Sequence, residues 1–366
     1  MISSLYVHIP FCTHICTYCD FCKMYYKKEL AIKYLDALEK EIKKYNINKP
    51  LKTIYVGGGT PSSLDIELIE KLLIMISKLN KEDEYEFTFE CNIDSMNEDK
   101  LKLLKEYGVN RISYGVETFN SKYLKYLNRK HNKDDVFKIV DITKKYFDNI
   151  NIDLMYAFTT ESILELKSDL EYLIKLNVPH ISTYSLMIEP HTVLANNNTL
   201  EIDDELDSKM YELICSVLNK HGYKHYEISN FAKNGYESKH NLTYWNNLEY
   251  YGVGLGSSGY INGVRYTNTK SFNKYVDNKY VYESTNISKY DKMEEEMFLG
   301  LRKVTGVSAS VFLEKYKVSM FDIFPVKSLI EKGLLELSDG YVRIPENKLY
   351  LSNEVLINFV GDYEEE

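Results

Sequence analysis

Long hydrophobic runs are missing from this chain. Across 366 residues the longest apolar stretches, such as those within residues 64–79, meet a charge after a few positions, far short of the ~20 apolar residues of a spanning helix. No membrane span is expected. Residues 1–10 lack a basic n-region and a small-residue cleavage site, so no signal peptide is expected and the cytoplasm is the expected compartment. Basic charge is the minority: 45 Lys and Arg face 54 Asp and Glu, a net charge of −9. Nucleic-acid recognition needs a basic face, so no nucleic-acid partner is expected, although this total is compatible with a local basic patch. Cysteine is scarce, and six are too few for a disulfide framework. The isolated Cys91 and Cys215 read as small core residues. What is plentiful tells less: 33 tyrosines, with many Lys, Asn and Ile, fit an AT-rich genome better than a chemistry. At 44% hydrophobic and 27% charged residues the composition is globular, which excludes disorder as the main state, and the length suggests about two domains.

From residue 2 to about 188 the apolar pattern switches between strand-like runs and helix-period stretches, the signature of βα units around a parallel sheet. Strands are expected at 5–9, 53–57, 85–91, 111–117, 151–158 and 180–188. Between them, Ala31, Tyr34, Leu35, Leu38, Ile42 and Tyr45 share one helix face, and Leu68, Ile69, Leu72, Leu73, Ile76 and Leu79 another. Six such units fit a closed or partly closed barrel, with an open doubly wound sheet as the alternative. After Ile188 comes an irregular Asn-rich stretch, then a helix opened by Asp203 and Asp204 and running to about Lys220, its acids favoured by the helix dipole. The glycine-dense segment 251–260 suggests close backbone approach to a ligand or another chain. Helices at 293–303, 311–316 and 326–332, with short strands at 334–337 and 341–344, read as a small helical domain with a β-wing. The expected units are 1–190, 191–288 and 289–366.

The six cysteines are unevenly placed: Cys12, Cys16, Cys19 and Cys22 fall within eleven residues, just after the first strand. Thiolates are the usual ligands of iron–sulfur clusters. Three of them, Cys12-x3-Cys16-x2-Cys19, can hold three irons of a [4Fe–4S] cube and leave the fourth open to a small molecule. A structural zinc site with Cys22 as fourth ligand is the competing reading, although such ligands usually come as two separated pairs.

The spacing also resembles the cluster loop of the radical S-adenosylmethionine (SAM) superfamily. Tyr6-Val7-His8-Ile9-Pro10-Phe11-Cys12, Tyr18-Cys19-Asp20-Phe21, Gly57-Gly58-Gly59-Thr60-Pro61-Ser62 and Arg111-Ile112-Ser113-Tyr114-Gly115-Val116-Glu117 resemble the branch that contains oxygen-independent coproporphyrinogen III oxidases and related haem chaperones. The resemblance continues through His240-Asn241-Leu242-Thr243-Tyr244-Trp245 to Leu351-Ser352-Asn353-Glu354-Val355, nearly the whole chain. It implies an α/β fold, a partial (β/α)6 radical SAM barrel with a small C-terminal α+β domain. It further implies Cys12, Cys16 and Cys19 as cluster ligands and Tyr6, Tyr18, Gly58, Gly59, Thr60, Glu90, Glu117, Arg129 and Asp153 as SAM contacts. Strand ends meet at the carboxyl face of a barrel, where active sites sit.

Haem as cargo, a haem-requiring client protein and an electron donor for the cluster follow from the chaperone branch and place the chain in porphyrin metabolism. The five residues before Tyr6, Cys22 three positions after Cys19, and the His240–Trp245 segment favour that branch. Decarboxylation of coproporphyrinogen is the alternative, and a degenerate binding protein a third. No catalytic residue is singled out. Glu117 stands where glutamine is usual, Tyr156-Ala157-Phe158-Thr159 replaces Tyr-Gly-Leu-Pro, and Gly256-Ser257-Ser258-Gly259 replaces Gly-Ala-His-Ser. His8 and His240 then remain as candidate haem ligands, against a structural role for each.

Overall fold

A computed structural model describes residues 2–361; residue 1 of the first expected unit and residues 362–366 of the last lie outside the described residues. Strands β1 (Ser4–Ile9), β2 (Leu51–Gly58), β3 (Lys81–Asn92), β4 (Arg111–Glu117), β5 (Asn149–Tyr156) and β6 (His180–Ser185) lie side by side in that order, each parallel to the next. β5 stops two residues before the expected 158 because Ala157 turns to φ 62°. Helices α1 (Lys28–Lys44) and α2 (Ile66–Ser77) bury Ala31, Tyr34, Leu35, Leu38 and Ile42, and Leu68, Ile69, Leu72, Leu73 and Ile76, against the sheet. Tyr45 and Leu79, the last members of the two expected faces, fall just beyond the helix ends and are half-buried. The helix opened by acids spans Asp204–Lys220, with the Asp203 carboxylate accepting from the Glu205 and Leu206 amides.

The sheet does not end with six strands. β7 (Lys224–Glu227) and β8 (Asn230–Ala232) extend it antiparallel beyond β6, and β9 (Tyr251–Val253) pairs parallel with β1, giving the order β9-β1-β2-β3-β4-β5-β6-β8-β7. β9 and β7 do not pair, so the barrel is open along one side. Part of the expected flanking unit therefore builds both edges of the barrel sheet, and one apolar cluster runs from Leu5 to Tyr280.

The glycine-dense segment approaches its own chain rather than a ligand. A Cβ on Gly252 would lie 1.8 Å from the Ser258 carbonyl oxygen, and one on Gly259 would strike the Tyr266 ring. From this turn β10 (Ser258–Ile261), β11 (Val264–Asn268) and β12 (Val281–Asn286) form a separate antiparallel sheet. Glu41 of α1, fully buried, fastens the segment by accepting from the Gly254 amide (2.8 Å), Asn268 Nδ2 (2.6 Å) and the Tyr275 hydroxyl (2.5 Å).

The C-terminal unit is the expected helical domain with a wing. Helices Lys289–Gly300, Ala309–Tyr316 and Val326–Glu331 pack on a small sheet of β13 (Val307–Ser308), β14 (Glu336–Ser338) and β15 (Tyr341–Arg343). Its apolar cluster, from Met293 to Phe359, is separate from the first. Backbone bonds from Val304 to the Tyr226 carbonyl (3.1 Å) and from Ile228 to the Arg302 carbonyl (3.0 Å) join it to β7 and its turn. Among the described residues no helix is long and apolar enough to cross a membrane.

Candidate functional site

At the carboxyl ends of these strands lies a cavity of about 360 Å³, within the range of small-molecule sites. Its first wall is the cysteine loop. The short parallel pairing of Phe11–Cys12 with Met24–Tyr25 closes the loop at its base, with Met24 N donating to the Pro10 carbonyl (2.7 Å) and Tyr26 N to that of Cys12 (2.9 Å). Cys12, Cys16 and Cys19 line the cavity; Cys22 does not. Cys22 packs against Gly256, where a Cβ would come within 2.7 Å of its own Cβ.

All six cysteines are free. Burial pushes the Cys12 thiol up to about 11 and raises those of Cys16 and Cys19, so each resists ionising until a positive centre offsets the cost. Among the described residues no three His, Cys, Asp or Glu side chains converge on a point that would hold one ion. Thiolates are the usual donors to iron–sulfur clusters, and three cysteines line this cavity.

The second wall continues β2. Gly59 N donates to the Ile9 carbonyl (2.9 Å) and Thr60 N to that of Phe11 (2.8 Å), zipping the glycine turn onto the cysteine loop. Thr60 Oγ1 donates to Cys12 Sγ (3.6 Å). Gly58 is held at φ 115°, and its amide donates to Glu90 (3.0 Å), which also takes the Tyr55 hydroxyl (2.6 Å). Burial raises the Glu90 carboxyl, while these two donors oppose the shift.

Glu117 closes β4 at φ 68°, a conformation uncommon for a residue with a side chain and one that collects at functional sites. Its carboxylate accepts from Tyr18 (3.0 Å) and is paired with Arg129. Arg129 also donates to Asn92 Oδ1 (2.9 Å) and the Gly115 carbonyl (3.0 Å), so only its Nε lacks a partner. The guanidinium, expected as a SAM contact, is engaged by the protein's own Glu117 carboxylate. Asp153 on β5 accepts from Asn151 (2.8 Å) and is pushed up by burial and then by the Glu117 charge.

Tyr6 stands behind this wall, bonded to His8 Nδ1 (3.0 Å) with its ring 6.1 Å from that of Tyr55. The two candidate haem-ligating histidines are structural. His8 Nε2 meets the Cys22 carbonyl (2.7 Å), while His240 Nδ1 meets Thr53 (2.9 Å) and its Nε2 meets Tyr244 (2.8 Å). With both ring nitrogens of each taken, burial lowers His8 to about 4 and His240 to about 3.

Sequence reasoning missed the floor. Arg111, only 2% exposed, lines the cavity with Nε unpartnered and a single long contact to Thr88 (3.5 Å). The signal was present as alternation: Arg111, Ser113, Gly115 and Glu117 on β4, and Asn151, Asp153 and Met155 on β5, all face inward at period two. At the rim, Phe21, Tyr184 and Met187 leave apolar surface exposed.

Comparison with known proteins matches this architecture. The family model of the radical SAM superfamily matches residues 6–173, and that of the HemN C-terminal domain residues 287–351. Heme chaperone HemW of Bacillus subtilis (strain 168) is 42% identical, the alignment covering 98% of this chain and 99% of that protein. The chain belongs to the HemW family of the radical SAM superfamily. HemW of Lactococcus lactis is 41% identical over 98% of both chains, and that of Escherichia coli 30% identical over 98% of both. The solved coproporphyrinogen III oxidase HemN from Escherichia coli superposes with a TM-score of 0.86 at 20% identity, covering 98% of this chain and 90% of its own. That likeness gives the fold; the HemW relatives match in sequence from end to end.

Proposed function

We propose that this HemW-family chain is a cytoplasmic haem chaperone, which binds haem and passes it to a haem-requiring client, and that it carries a [4Fe–4S] cluster with SAM in the cavity at the barrel mouth. The observation that carries the cofactor reading is that Cys12, Cys16 and Cys19 line one cavity together with the glycine turn and the carboxylates Glu90, Glu117 and Asp153. Cys12, Cys16 and Cys19 would ligate the cluster, leaving an iron for the amino and carboxylate groups of SAM. When bound, the pair supplies one-electron chemistry that belongs to the cofactor.

The residues of this chain bind and orient. Gly58, Gly59 and Thr60 offer backbone at close range. Glu90 and Asp153 oppose the methionine ammonium or accept from ribose hydroxyls, and the Tyr18–Glu117–Arg129 chain braces the wall. Tyr6 acts from behind, through its packing on Tyr55. We assign this site to unit 1–190, with 191–288 flanking it and 289–366 as the C-terminal domain. The exposed Phe21, Tyr184 and Met187 supply apolar surface of the kind haem requires.

Anaerobic reconstitution tests the reading. About four irons per chain are expected, lost on changing Cys12, Cys16 or Cys19 to Ala and kept in Cys22→Ala. Haem should then give a shifted Soret band, with no conversion of coproporphyrinogen III under reducing conditions with SAM. Stoichiometric zinc without sulfide would overturn the cluster, and many turnovers of coproporphyrinogen with no haem bound would move the chain to the oxidase reading.

A further inference from the structure

Charge is unevenly distributed around the cavity. Residues 121–132 carry Lys122, Lys125, Arg129 and Lys130 and no acid, in a chain whose net charge is −9. Arg129 turns inward to Glu117, while the three lysines are exposed. Lys122 lies 3.5 Å from Glu165; Lys125 and Lys130 form no ion pair among the described residues, Lys130 reaching only the Asn128 side chain (2.8 Å). Lys122, Lys125, Tyr123, Tyr126 and Phe158 line a shallow cavity of about 380 Å³, with Tyr126 half-buried and the other two rings buried.

This basic face backs directly onto the cysteine loop. Thr17, between Cys16 and Cys19, donates its amide to the Leu127 carbonyl (3.3 Å) and its hydroxyl to that of Tyr126 (2.9 Å). Asn128 Nδ2 donates to the Ile15 carbonyl (2.9 Å). The thiols face the cavity, and the lysines are carried on the segment behind the same loop.

We propose that the face of Lys122, Lys125 and Lys130 around Tyr126 docks an acidic one-electron carrier protein that reduces the cluster held by Cys12, Cys16 and Cys19. The inference rests on reading that cavity as a cluster site. One electron leaves the reduced centre of the carrier, which is oxidised, and enters the cluster, which is reduced; no bond is made or broken. An acidic partner is repelled by the chain as a whole and attracted where the lysines gather, so long-range steering directs its approach to the loop. Exposed cations around the half-buried Tyr126 ring give the face a polar rim of the kind protein interfaces carry. Two nearby charges have the opposite effect: Glu165 beside Lys122, and Asp20, exposed on the cysteine loop, which limits the attraction on the Cys19 side.

The test mixes cluster-loaded protein with excess reduced flavodoxin, an acidic carrier, in a stopped-flow spectrometer at about 50 and about 300 mM salt, where screening differs strongly. Lys125→Glu/Lys130→Glu should slow reduction ten-fold or more at low salt, with the gap closing at high salt. Lys125→Gln/Lys130→Gln should fall between and guards against a folding defect. Dithionite, which needs no docking face, should reduce all three proteins alike. Equal rates with flavodoxin in cluster-loaded wild type and variants would overturn the docking face alone, and a wild-type chain that takes up no cluster would overturn both readings. If the substitutions abolish binding of polyuridylate and leave flavodoxin reduction unchanged, the face serves nucleic acid and the proposal falls.

Discussion

Gly58 shows how closely the cavity wall is fitted. At φ 115°, a Cβ there would lie 2.6 Å from the His8 ring, on the side away from the cavity, whereas one on Gly59 would meet Cys12 Sγ at 3.0 Å. Gly58→Ala is therefore expected to cost about 2 kcal/mol of stability, from left-handed backbone and collision together, and thermal unfolding measures it. Gly59→Ala perturbs the thiol instead. Glu41 gives a pH signature. Burial pushes its carboxyl up to about 7 despite three donors. The folded chain thus holds a proton that the unfolded chain has released above its ordinary value of 4.5, so the contribution of Glu41 to stability is fullest below that value and falls as pH rises to about 7. Urea unfolding of wild type and Glu41→Gln across pH 4.5 to 8 should show the difference shifting toward the variant by up to about 3 kcal/mol. A difference independent of pH would contradict the assignment. The thiols could be read from sequence because their spacing has few structural uses. Arg111 could not, because a lone arginine is ordinarily a solvated residue.

At the scale of elements, β5 is ended by Ala157, the residue after its last, at φ 62°, where the resembled pattern carries glycine. A Cβ costs about 1 kcal/mol or more in that region, partly offset by the entropy that glycine adds to the unfolded chain. Ala157→Gly should raise the free energy of denaturant unfolding by up to about 1 kcal/mol, and a loss would mean that the methyl group packs better than its backbone suggests. The six long strands and the faces of α1 and α2 were legible because each carries several turns of its own period. β7, β8 and β9 were not: three or four residues hold too little alternation, and β9 finds its partner β1 across more than two hundred residues. Repeated glycine announced a close approach without saying to what, and the neighbour proved to be the carbonyl of Ser258.

At the scale of the molecule, the apolar cluster of the C-terminal unit is separate from that of the barrel, and polar contacts join the two: backbone bonds, the Arg265–Glu295 ion pair (2.6 Å) and the bond from Lys303 to Asn246 (2.6 Å). Phe312 is fully buried in the C-terminal cluster, in ring contact with Tyr316 and Phe324. Phe312→Ala should cost about 3–5 kcal/mol, and the loss should fall on the C-terminal unit. Trp245, the single tryptophan, lies at the junction with its ring 5.8 Å from the Arg302 guanidinium. Its fluorescence in the variant should therefore change at lower denaturant than the helical signal, and coincident transitions would show that the two clusters unfold as one. The edges of the barrel sheet have a consequence for synthesis. β1 leaves the ribosome more than two hundred residues before β9, the strand that covers its outer side; β6 likewise waits for β8. A nascent chain that has finished all six βα units still presents two bare strands, each a template for pairing with a neighbour. A pause in translation before residue 230 leaves both edges uncovered, and one before residue 251 still leaves that of β1 bare.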